Sequence, residues 1–161
     1  MQRDVAALLD GGIAGCIGTA TMSAVMMAAR KAGLLGRQPP ELIVEKALTA
    51  VGVHRHETTQ DALAVAMHFG FGASMGALFG LSRGRSRLPL GPAFSGLLFG
   101  SLVWAVSYKG WLPGLSIMPQ PEYDKPGRPQ TMIFAHWVYG WTLGRSLGAV
   151  AGARRMFLDG I

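Results

Sequence analysis

His68-Phe-Gly-Phe-Gly72-Ala-Ser-Met-Gly76-Ala-Leu-Phe-Gly80 and His136-Trp-Val-Tyr-Gly140-Trp-Thr-Leu-Gly144-Arg-Ser-Leu-Gly148 carry one pattern: a histidine, then glycine at plus four, plus eight and plus twelve. Four-residue spacing keeps positions on one face of an α-helix. In lipid no hydrophobic force draws helices together, and a ridge of small residues lets their backbones approach closely enough for dispersion to do so. Gly11, Gly15, Thr19 and Ser23 continue the theme upstream, and Gly96 and Gly100 between the two histidine stretches. The pattern predicts a tight all-α bundle held by glycine faces, with Gly72, Gly76, Gly80, Gly140, Gly144 and Gly148 as packing positions. A phosphate-cradling role is excluded, since no glycine-rich run leads into Lys-Ser or Lys-Thr.

The charges mark where that bundle meets water. No Asp, Glu, Lys or Arg lies between Asp10 and Arg30, between Asp61 and Arg83, or between Arg87 and Lys109. Each gap is long enough to cross roughly 30 Å of hydrocarbon at about 1.5 Å per residue. A fourth apolar stretch is interrupted only by Arg145, close enough to Arg154 and Arg155 to snorkel toward the same interface. The sequence thus predicts four transmembrane helices, at 10–30, 61–82, 90–108 and 131–153. The first could instead be read as a signal peptide, but its one leading Arg is offset by Asp4 and its apolar run exceeds a usual signal core.

Composition agrees. Over 161 residues the chain is 50% hydrophobic and 15% charged, whereas a soluble domain carries about a quarter charged residues. This excludes a disordered chain, and the single cysteine, Cys16, excludes a disulfide scaffold. The net charge of +6 is what cytoplasmic loops of membrane proteins accumulate, so no nucleic-acid partner is expected. Arg83, Arg85 and Arg87, with Arg154 and Arg155, share one side with both termini, which places the termini in the cytoplasm by the positive-inside rule.

The loops correspond as the helices do. Lys31, Gly36, Pro39 and Glu41 find counterparts in Lys109, Gly114, Pro119 and Glu122, which suggests a tandem repeat of 10–82 and 90–153, each half a helical hairpin. Pro39-Pro40 opens an amphipathic pattern with Ile43, Val44, Ala47, Leu48 and Val51 on one face, expected as an interfacial helix around 40–52. The segment Trp111 to Pro119 is too apolar for free solvent and too rich in proline for a long helix.

Ionisable groups within a span are expected to be functional. His68 and His136 sit at equivalent depths in parallel helices, and with Glu41 and Glu122 they form the candidate polar cluster, suited to a proton, a cation or a small solute. Two histidines on parallel helices can also serve as axial ligands of one haem b. Plain hydrogen bonding of each histidine to a neighbouring carbonyl is the structural alternative. His54-Arg-His56-Glu57 lacks further ligands and reads as a solvated turn. Met22, Met26 and Met27 read as adaptable packing, not a copper site. Arg145 lies nine residues past His136 and faces the other way. No nucleophile, base and orienting acid can be assembled on one side of the membrane, so no enzyme is expected.

Several local stretches resemble the YagU-like type of small uncharacterised bacterial inner-membrane proteins: Gly33-Leu-Leu-Gly-Arg-Gln-Pro-Pro-Glu41, Ala-Met-His68, Val103-Trp-Ala-Val-Ser-Tyr-Lys-Gly-Trp111-Leu-Pro and Ala-His136. The resemblance implies a multi-pass helical bundle in the bacterial plasma membrane and assigns no catalytic residue. The expected role is a membrane protein that binds or conducts a small species at the histidines, as a homo-oligomer. The alternatives are a structural subunit of a larger membrane complex and a haem b electron carrier.

Overall fold

The computed structural model describes residues 1–53, 56–85 and 89–159, so His54, Arg55 and Arg87 of the expected turn and basic loop lie outside the described residues. The fold is all-α, with no strand among the described residues. Its helices are α1 (Gln2–Lys31), α2 (Pro39–Ala50), α3 (Glu57–Arg85), α4 (Pro92–Trp104), the single turn α5 (Leu112–Gly114) and α6 (Arg128–Asp159). Between α4 and α5 the backbone widens into a π-helical segment, Ala105–Trp111, and a 3₁₀ turn, Pro121–Tyr123, precedes α6.

The stretches at 10–30, 61–82 and 131–153 are helical, and each helix runs past the charge-free gap. The dipole favours this in α1, where Asp4 lies in the first turn and Arg30 and Lys31 in the last. The stretch at 90–108 differs, because regular α-geometry ends at Trp104 and the π segment carries the helix on to Trp111. α2 starts on Pro39, whose missing N–H costs nothing at a helix start.

α1 packs against both α3 and α6, α4 packs against α6, and α3 and α4 barely meet. The α1–α3 and α4–α6 contacts are backbone on backbone. A methyl at Gly76 would overlap the carbonyl oxygen of Gly11 and lie 2.6 Å from Gly15 Cα. Gly72 faces Thr19, whose hydroxyl is already turned onto Gly15 O at 2.8 Å. In the other pair Gly96 meets the Gly140 backbone, Gly100 meets His136 O, and Gly144 meets Pro92 O. Gly148, expected as a packing position, faces open space. The start of α4 at Pro92 already lies opposite Gly144, and among the described residues no partner backbone comes within reach of Gly148. Gly80 differs because α1 extends far enough to put Ala7 against it.

Polar contacts close both ends of the bundle. At the end holding the termini, Arg154 donates to Asp10 through Nε at 2.8 Å and Nη2 at 3.0 Å, a bidentate link from α6 to α1, and Arg85 reaches Asp4 at 3.1 Å. At the other end α2 is fixed by Arg30 on Glu41 and Arg37 on Glu45, both at 2.7 Å, and by Lys46 Nζ donating to Leu115 O at 2.6 Å. A buried network lies beneath it. Tyr108 OH and Arg128 Nη1 both donate to Asp124, and Arg128 Nη2 donates to Arg37 O.

Candidate functional site: an apolar cavity with two histidines

At the α2 end the four long helical stretches separate around a partly enclosed cavity of about 140 Å³. Its position follows from the glycine register. Gly80, Gly76 and Gly72 hold α3 against α1, and His68 takes the next four-residue position; Gly144 and Gly140 hold α6 against α4, and His136 comes next. Both histidines line the cavity. α3 and α4 touch through Phe79 and Phe99, ring centroids 5.1 Å apart, below the cavity floor. Two lining residues of α3, Met67 and Phe71, are 48% and 40% exposed.

The wall is soft and apolar. Five of the nine methionines line it, Met22, Met26, Met67, Met75 and Met132, with aromatic rings from Phe71, Trp111 and Tyr139 among them. Pro39, Pro40 and Ile43 of α2 form the roof. Met22 and Met26 thus shape the cavity, while Met27 is 56% exposed. The π segment supplies Ser107, Tyr108 and Trp111 to the wall; its wider turn re-aims side chains relative to a regular helix, a distortion often found at functional sites.

Most polar groups here are occupied. Thr19 OH donates to Gly15 O, Ser107 OH to Val103 O at 2.6 Å, Tyr139 OH to Gly72 O at 2.7 Å, and Tyr108 OH to Asp124. His136 Nδ1 lies 2.7 Å from Met132 O. A carbonyl only accepts, so Nδ1 carries the proton and the neutral ring keeps its lone pair on Nε2. His68 Nε2 is buried with no hydrogen-bond partner among the described residues.

Glu41 and Glu122 are not brought to the histidines. Glu41, at the third position of α2, accepts from the Gln38 backbone N–H at 3.2 Å and pairs with Arg30. This is the place where a helix start draws in a carboxylate. Glu122 is exposed in the 3₁₀ turn and pairs with Lys109 at 3.6 Å. Arg145 is exposed, its guanidinium 5.8 Å from the Trp141 ring centroid. The buried Tyr108, Asp124 and Arg128 network was not singled out from sequence, although Asp124 and Arg128 stand four residues apart across the start of α6.

No group of three or more His, Cys, Asp or Glu among the described residues could hold a metal ion. Haem b does not fit: the cavity of about 140 Å³ is close to the ~150 Å³ of an engineered benzene-binding cavity, and a porphyrin spans several such rings. Protein purified after growth with added haem precursor is accordingly expected to show no Soret absorption; a stoichiometric Soret band would reverse this.

Fold and site together define an all-helical protein, two of whose helices, Gln2–Lys31 and Glu57–Arg85, are long and apolar enough to cross a membrane, with an apolar cavity bearing two histidines. The chain belongs to a family of unknown function (DUF6789), whose profile matches residues 5–157. No curated protein and no solved structure matches it.

Proposed function

We propose that the chain is a four-span integral membrane protein that binds a small lipophilic molecule in the histidine cavity. Exposed apolar side chains occur on all four long helices, among them Ile13 and Ile17 on α1, Val65 and Leu78 on α3, Leu98 and Leu102 on α4, and Phe134 and Trp141 on α6. Such a surface suits hydrocarbon better than water. α4 is short alone, yet with the π segment it runs from 92 to 111, which at about 1.5 Å per residue approaches the ~30 Å of a bilayer core. The YagU-like resemblance supports a bacterial plasma membrane, and the arginines at the end holding the termini support a cytoplasmic position for them.

The observation that carries the binding role is the cavity's own chemistry. Thioethers, rings and prolines form the wall, the hydroxyls are spent on backbone or carboxylate acceptors, and the lining residues Met67 and Phe71 of α3 are exposed on the bundle surface. This suits a molecule arriving from the lipid. Conduction of ions has less support, because the bundle past Gly72 closes on backbone contacts and on buried Ala14, Phe79 and Leu143. In lipid nanodiscs, millimolar benzene is expected to raise the melting temperature saturably, as a ligand specific for the folded state does. Met75→Trp, which fills the cavity, is expected to remove the shift. Absence of saturable benzene binding to the folded wild-type protein would refute the role.

A further inference from the structure

We infer that the cavity recognises a hydroxylated aromatic ring, of the phenol or hydroquinone class, as the head of a lipid-soluble molecule whose remainder leaves through the open part of the cavity. The inference rests on the binding role proposed above and specifies the ligand.

Three observations converge on it. The first is size: about 140 Å³ accommodates one six-membered ring, and the cavity is only partly enclosed, which leaves a way out for a substituent. The second is the wall, because methionine sulfur makes favourable contacts with aromatic rings and its flexible side chain adapts to their edges. Five methionines surround this one small space. The third is hydrogen bonding. The Nδ1–H of His136 is spent on Met132 O, which leaves Nε2 as an acceptor able to take a proton donor from a ligand. His68 Nε2 lies buried without a partner among the described residues, and an unsatisfied buried polar atom costs free energy that a ligand hydrogen bond recovers. A phenolic hydroxyl both donates and accepts. It can therefore donate to His136 Nε2, and a turn of the His68 ring, whose Nε2 is closed off from the cavity in this arrangement, would let it accept from His68 as well. A purely apolar ring satisfies neither nitrogen, and a carboxylate would enter a space that presents no cation.

Phenol and toluene differ only by hydroxyl for methyl and separate this inference from the role it rests on. In nanodiscs, with each probe's partitioning corrected on protein-free discs, wild type is expected to bind phenol about tenfold more tightly than toluene, the size of one net hydrogen bond. Quenching of tryptophan fluorescence reads the affinity, since Trp111 lines the cavity. His136→Phe is expected to abolish the preference, bringing the ratio of phenol to toluene affinity to about one. On ¹⁵N-histidine-labelled wild type, phenol and not toluene is expected to shift the unprotonated Nε2 resonance of His136, a readout that needs no variant to fold. Equal binding of both probes with no ¹⁵N shift overturns hydroxyl recognition and leaves the binding role standing. Failure of both probes to bind overturns both.

Discussion

Gly76→Leu is expected to leave little or no folded protein, whereas Gly148→Leu is expected to leave stability unchanged or slightly raised. A side chain at Gly76 meets the carbonyl of Gly11 and the Gly15 backbone. No rotamer relieves that clash, because the obstacle is the facing helix itself, so the cost exceeds the ~1–3 kcal/mol usual for overpacking a core. No described residue lies within 4 Å of a methyl at Gly148, and replacing a mid-helix glycine by leucine recovers helix propensity of up to about 1 kcal/mol. Size-exclusion profiles and thermal unfolding in detergent measure both. Equal damage from the two substitutions would show that the glycine ridge of α6 continues through a partner absent from this chain.

Asp124→Ala carries the second large effect. The Asp124 side chain is 2% exposed and that of Arg128 9%, and Tyr108 OH and Arg128 Nη1 both donate to this carboxylate. Removing it strands a buried guanidinium, which costs about 3–5 kcal/mol, while replacing both members of such a pair is far milder. Unfolding midpoints are therefore expected to fall sharply in Asp124→Ala and to recover in part in Asp124→Ala/Arg128→Met. Tyr108 lines the cavity, so benzene binding is expected to weaken in Asp124→Ala even where the protein remains folded. A single variant as stable as wild type would mean that the network is dispensable.

Both effects show what local sequence can and cannot carry. The periodic glycines and the missing charges are one-dimensional signals, and the helices they imply are present. Gly148 satisfies the same spacing as Gly144, yet among the described residues only Gly144 has a facing backbone, that of Pro92 at the start of α4. The carboxylates illustrate the same limit. Glu41 and Glu122 have matching places in the loops, but a helix start claims one and an exposed lysine the other. Asp10 marked only a boundary in the sequence, although its partner Arg154 stands 144 positions away. The π segment had no sequence signal that periodicity could read, since one widened turn merely shifts the phase of the residues after it.

By itself, the sequence determined an all-helical chain with glycine faces and a histidine at the end of each of two ridges. Those are properties of spacing along one helix, set by backbone geometry and by the absence of Cβ atoms. Only the tertiary structure decided that α3 and α4 barely meet, Phe79 on Phe99 among their contacts, and that both histidines line one cavity. A cavity is the space that packing fails to fill, and its shape depends on where several helices stop touching. No single helix encodes that distance.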